Sequence, residues 1–164
     1  MRVLVAGIGN VFLGDDGFGV EVVRRLSERS LPPWAEVADF GIRGYDLAYA
    51  LLEDYAYAVL VDAVPRGEPP GTVFVLEPDL EALPGPASPD GHAMGPDRVL
   101  ALVRELGGRP PRLFLVGCEP ASLGGEEGAM GLSPPVAAAV EEALAAIERL
   151  LGELAGRTEA GSRA

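Results

Sequence analysis

At 164 residues with 48% hydrophobic content, the chain is the length of one ordinary domain and has enough apolar side chains for a core. A formal net charge of -12 excludes phosphate backbones and anionic lipid as partners and favours a cation or a basic peptide. The single cysteine, Cys118, excludes an internal disulfide and any four-cysteine zinc site, as expected in a reducing compartment.

Residues 2–6 form a short apolar run closed by Gly7 and Gly9, the pattern of a buried strand entering a loop. No apolar stretch reaches the roughly 18 residues of a membrane span and no leader pattern precedes the strand, so a cytoplasmic protein is expected. After Gly14-Asp15-Asp16, Val20, Val23 and Leu26 recur at helical spacing. Residues 35–40 read as a second strand and 45–52 as a short helix. The run Ala58-Val59-Leu60-Val61 has the continuous apolarity of a central parallel strand and ends at Asp62. Alternation across 72–76 predicts an antiparallel edge strand.

A loop crowded with proline and glycine follows at 84–96 and carries the only histidine, His92. Val99, Leu102, Val103 and Leu106 place a helix over 98–106, stopped by Gly107-Gly108. A strand over 113–116 runs into Gly117-Cys118-Glu119-Pro120. The last helix is predicted to start with Ser133 as N-cap and Pro134 at its first position, with Val136, Val140, Leu144, Ile147 and Leu151 inward. A single domain is expected over 1–155, with 156–164 a disordered tail. Strands alternating with helices predict a three-layer α/β/α fold, with a twisted, mostly parallel five-stranded sheet and one antiparallel edge strand.

Such sheets bind ligands at the carboxyl ends of their strands, near the point where strand order reverses. Asp15 and Asp16 follow the first strand and Asp62 ends the third. Gly7-Ile8-Gly9-Asn10 resembles a dinucleotide turn, but position 12 is Phe where the third glycine is required, and two carboxylates occupy the phosphate approach. An aspartate at a helix start, such as Asp16, can simply cap it, yet one cap suffices and the second acid of the pair is then free to bind something. Asp62 can be a turn former at a strand end, and a lone loop histidine is ordinarily a surface residue. As a set, Asp16, Asp62 and His92 supply the oxygen, oxygen and nitrogen donors that a borderline divalent ion accepts. Cys118 would need a histidine to become a nucleophile and reads as structural. No His-Glu-x-x-His helix and no Gly-x-Ser-x-Gly elbow exist.

In combination, Gly7-Ile8-Gly9-Asn10, Gly14-Asp15-Asp16-Gly17-Phe18-Gly19, Val61-Asp62-Ala63, His92 and Gly117-Cys118-Glu119-Pro120 resemble the hydrogenase maturation endopeptidases, from Met1 to about Leu151. The family often has glutamate at the position of Asp16 and threonine at that of Ile42, within Asp39-Phe40-Gly41-Ile42-Arg43-Gly44. The resemblance implies an aspartyl-type protease that removes the C-terminal extension of a nickel-iron hydrogenase large-subunit precursor once nickel is installed. Asp16, Asp62 and His92 would be its catalytic, metal-contacting trio. Nickel would be carried by the substrate as recognition element, with no nucleic acid or membrane partner and a monomeric enzyme. A non-catalytic maturation chaperone or small-ligand-binding module on the same fold is the alternative.

Overall fold

The computed structural model describes residues 1–78, 95–124 and 128–162. Its elements in chain order are β1 (Val3–Ile8), a 3-10 turn (Gly14–Gly17), α1 (Phe18–Leu26), β2 (Ala35–Gly41), α2 (Gly44–Ala50) and β3 (Tyr57–Ala63). There follow β4 (Val73–Leu76), α3 (Pro96–Glu105), β5 (Arg112–Cys118) and α4 (Pro134–Ser162). The sheet order is β2-β1-β3-β5-β4. The β1–β2, β1–β3 and β3–β5 pairs are parallel and β4–β5 is antiparallel, as the alternation across 72–76 predicts.

Strict alternation along the strands divides the core into two layers. Val3, Val5, Val59, Val61, Phe114 and Val116 pack under α1 and α4, whereas Leu4, Ala6, Ala58, Leu60, Leu113 and Leu115 pack under α2 and α3. Central strands buried on both faces explain why β1, β3 and β5 are nearly continuous apolar runs. From β1 the chain turns outward to β2, and β3 lies on β1's other side, so the reversal of strand order falls between β1 and β3. The carboxyl ends of these two strands form the rim that carries Asp16 and Asp62.

Two local expectations change. Helix α4 does not stop near Gly156 but continues through Ser162. Leu154 is buried, the Arg157 guanidinium lies 5.8 Å from the Phe114 ring centroid, and the Thr158 hydroxyl donates to the Leu154 carbonyl at 3.2 Å. These contacts hold the last turns despite helix-weakening glycines at 152 and 156. The Ser133 carbonyl accepts the first helical bond from the Ala137 amide, as at an N-cap, but its hydroxyl is turned away to Asp15.

Candidate active site

The loop leaving β1 is built around close backbone contact. At Gly9 φ is +137°, and a Cβ there would lie 1.8 Å from the Asp16 carbonyl oxygen, so only glycine fits. The Gly9 amide donates to the Gly41 carbonyl at 3.0 Å, fastening this loop to the end of β2. Gly19, at the start of α1, is similarly forced, because a Cβ would stand 2.0 Å from the Val61 carbonyl oxygen on β3. Helix α1 therefore begins against the backbone next to Asp62. No pyrophosphate cradle forms here, since the helix starts at Phe18, well beyond Gly9.

Both acids of the Asp15-Asp16 pair lie in the 3-10 turn before α1, and neither caps the helix. Their roles are opposite. Asp15 is buried and its carboxylate accepts from the amides of Ala121 (2.8 Å), Ser122 (3.0 Å) and Ser133 (2.7 Å) and from the Ser133 hydroxyl (2.8 Å). Burial alone would raise its proton affinity, but these donors together outweigh it and hold the carboxyl below its ordinary range. Asp15 is thus a strut that ties the β1 loop to the segment between β5 and α4. Asp16, half-buried, accepts only the Asn10 amide, through Oδ2 at 2.9 Å, which fixes its direction and leaves Oδ1 with no partner among the described residues.

Asp62 is no turn former. It lies within β3, opposite Gly117 of β5, and strand parity aims it to the α2–α3 side of the sheet. Burial pushes its carboxyl well above the ordinary aspartate range, and the charge of Asp16 pushes it further. The Ala63 amide opposes this, while Asp97 in the first turn of α3 adds to it. The 3-10 turn packs against β3, so Asp16 and Asp62 meet at one rim, close enough for one charge to disfavour the other. His92 lies outside the described residues, and among those described no group of three His, Cys, Asp or Glu side chains forms a metal cluster.

Cys118, at the end of β5, is buried and burial drives its thiol to about 12, so it stays protonated and unreactive. The neighbouring Glu119, which the sequence marks only as part of a shaped loop, is a second strut. Its carboxylate accepts the Arg66 amide at 2.6 Å and the Gly67 amide at 3.2 Å, fixing the chain that leaves β3 after Asp62. Sequence patterns miss both struts because their partners are distant along the chain.

The model of the hydrogenase maturation protease family matches residues 20–150. The chain belongs to the hydrogenase maturation protease family. Among its relatives, the hydrogenase 2 maturation protease of Escherichia coli is 38% identical over 160 residues, covering 93% of this chain and 92% of that protein. The hydrogenase expression/formation protein HupD of Rhodobacter capsulatus is 37% identical over 152 residues, covering 92% of this chain and 71% of that one. The solved hydrogenase maturating endopeptidase HybD of E. coli superposes with a TM-score of 0.76 at 33% identity, covering 93% of each chain. A hydrogenase 2 maturation peptidase from a Thaumarchaeota archaeon gives 0.69 at 35% identity, covering 93% of this chain and 99% of that one. This member of the hydrogenase maturation protease family is therefore a hydrolase, an endopeptidase on the α/β fold of HybD. No helix among its described residues is long and apolar enough to cross a membrane.

Proposed function

We propose that the enzyme removes the C-terminal extension of a nickel-iron hydrogenase large-subunit precursor after nickel insertion, with the substrate's nickel as recognition element. The observation that carries this reading is the state of Asp62: a buried carboxyl, made reluctant to ionise by burial and by the nearby charge of Asp16. Two acids that repel each other at a rim gain most from a cation brought between them. Carboxylate oxygens suit a divalent ion already held by other ligands in a partner protein. His92 is the third donor in this reading. Two residues, Ala93 and Met94, separate it in sequence from Gly95, the N-cap of α3. Asp97 on that helix already influences Asp62.

With the precursor docked, one carboxylate of the pair takes a proton from the attacking water. That proton is then available to the departing amine, so the cleavage closes with an acid and a new amine terminus. Asp62 suits this duty because burial and the charge of Asp16 raise its proton affinity above that of an ordinary aspartate. The same reading has a monomer acting in the cytoplasm on a folded precursor.

The test is mass measurement of nickel-loaded and nickel-free precursor before and after incubation with the enzyme. Shortening of the loaded form alone is expected, and Asp16→Asn, Asp62→Asn and His92→Ala should each leave it at full mass. Unimpaired cleavage by all three variants would remove the site assignment. Equal cleavage of nickel-free precursor would remove the metal's role in recognition.

A further inference from the structure

Asn10 is the only asparagine in a chain that has no glutamine and no lysine, and it opens the turn that leads to Asp16. Its backbone amide donates to Asp16 Oδ2 at 2.9 Å, and its backbone carbonyl accepts the Leu13 amide at 3.0 Å. The side-chain oxygen accepts the Phe12 amide at 2.9 Å. This last contact orients the side chain, because with Oδ1 facing Phe12 the Nδ2 end faces away from it. Nδ2 has no partner among the described residues, and no unpartnered side-chain nitrogen or oxygen among them is sealed in the interior, so Nδ2 stands open at the rim. The turn alone does not call for asparagine. No described residue other than glycine has a positive φ, so Asn10 is not held in the left-handed region, and a serine oxygen closes the same kind of turn. What asparagine adds is an uncharged N–H donor.

Resting on the peptidase reading above, we infer that Asn10 Nδ2 is the donor that receives the oxyanion formed from the scissile carbonyl. Attack places a new negative charge beside two carboxylates, where only a hydrogen-bond donor or a cation can offset it. Arg43, on the neighbouring turn, is already engaged, since its guanidinium donates to the Asp39 carbonyl and pairs with Asp46. In the step itself, water gives a proton to the carboxylate pair and its oxygen bonds to the carbonyl carbon, so the π pair moves onto the carbonyl oxygen. Nδ2–H binds that oxygen and keeps its own proton. When the electron pair returns, the C–N bond breaks and the leaving nitrogen takes the proton from the carboxylate. One residue thus fixes Asp16 through its backbone and carries the donor on its side chain. The loop around it is pinned by the Gly9–Gly41 and Ala129–Phe12 hydrogen bonds, at 3.0 and 2.9 Å. A donor held in place beforehand needs no rearrangement as the charge develops.

Asn10→Ser and Asn10→Asp separate the donor from the turn, since both keep an oxygen for the Phe12 amide and neither keeps the side-chain N–H. Serine is also too short to close the turn and reach the substrate at once. Processing of nickel-loaded precursor reads kcat and KM, while thermal melts read the fold. In both variants kcat should fall about 100-fold, the loss expected for one oxyanion donor, with KM within about twofold of the parent. The thermal midpoint should stay within about 2 °C of the parent. A folded Asn10→Ser with kcat close to the parent's would overturn the donor and leave Asn10 as a turn former. Loss in Asn10→Asp alone would overturn it too, assigning the effect to the added charge beside Asp16. So would a loss in both variants that comes with a raised KM and a lowered midpoint, the signature of a disordered loop. A parent that never shortens loaded precursor would sink the peptidase reading and the donor with it, whereas an active parent with an active Asn10→Ser sinks the donor alone.

Discussion

Asp15 and Asp62 are buried almost equally, at 1% and 6% exposure, and yet their carboxyls move in opposite directions. The difference is the company each keeps. Asp15 has three amides and a hydroxyl aimed at it, so its charge is better solvated inside the protein than a simple burial argument allows. Asp62 has the charge of Asp16 nearby and, among the described residues, little more than its neighbour's amide in return. One is a satisfied structural charge, and the other, among the described residues, is short of donors. A like degree of burial therefore separates scaffold from site only when the donors are counted.

Asp62→Asn is the sharpest way to break this contrast, and its effect should be the largest. Precursor processing should fall below detection by mass measurement, because Asn can neither hold a transferable proton nor bind a cation as well. Thermal stability near neutral pH should rise, by roughly 2–4 °C, the response of a chain this size to about 1 kcal/mol. The sign follows from linkage: the folded state binds the Asp62 proton more tightly than the unfolded state does. Stability is then lost as pH rises from the unfolded aspartate range through the folded value, and Asn removes that loss. The gap between variant and parent should open with rising pH and close in acid. A variant less stable than the parent at pH 7 would contradict the strained state assigned to Asp62.

Asp15→Ala should act in reverse, removing stability and leaving Asp62's environment in place. Three amides and a hydroxyl lose their acceptor, which costs on the order of 3 kcal/mol and lowers the thermal midpoint by about 6–12 °C. Its stabilisation is present above the unfolded aspartate pKa and is lost as pH falls toward the lower folded value. The parent and Asp15→Ala should therefore converge in acid, and thermal melts between pH 3 and 7 check the convergence. Parallel curves across that range would mean that Asp15 is not ionised in the fold.

Much of this fold is written locally in the sequence. The strands β1, β3 and β5 are continuous apolar runs because helices cover both their faces, and β4, at the edge of the sheet, runs from half-buried to exposed. The same topology puts residues that follow β1 and end β3 at one rim, which is why Asp16 and Asp62 are legible before any coordinates. The division of labour between Asp15 and Asp16 is not legible, since the partners of Asp15 lie 106, 107 and 118 residues away. Ser133 illustrates the same limit, because a local N-cap pattern cannot reveal that its hydroxyl serves a distant carboxylate. The extent of α4 escapes for a related reason: its glycines are local, whereas the contact of Arg157 with Phe114 is not.

Glu119 sharpens the comparison as an intermediate case. It is as buried as Asp62 but receives two amides, from Arg66 and Gly67. Glu119→Gln keeps one acceptor and turns the other end into a donor facing an amide, so a loss of about 1–2 kcal/mol is expected. The loop it braces leaves β3 just after Asp62, and precursor processing should slow modestly in step. Chemical denaturation together with processing rates checks both, and a fully stable, fully active variant would show that the backbone ties of Gly71 and Val64 suffice.

The smallest effect belongs to charges that water already serves. Arg29 spans from the end of α1 to Glu141 and Glu148 on α4 at 3.0 and 2.8 Å, linking two helices of one layer. The guanidinium is exposed, so its pairing competes with solvent and with salt, and holding the long side chains in register costs entropy. Arg29→Ala should shift the thermal midpoint by no more than about 1–2 °C. The shift should shrink further in 0.5 M salt, where the Debye length falls to about 4 Å. Two ionic contacts at the surface are thus expected to matter less than one buried carboxylate among amides. A drop as large as that of Asp15→Ala would reverse the ranking of solvation over charge pairing on which the contrast between Asp15 and Asp62 depends.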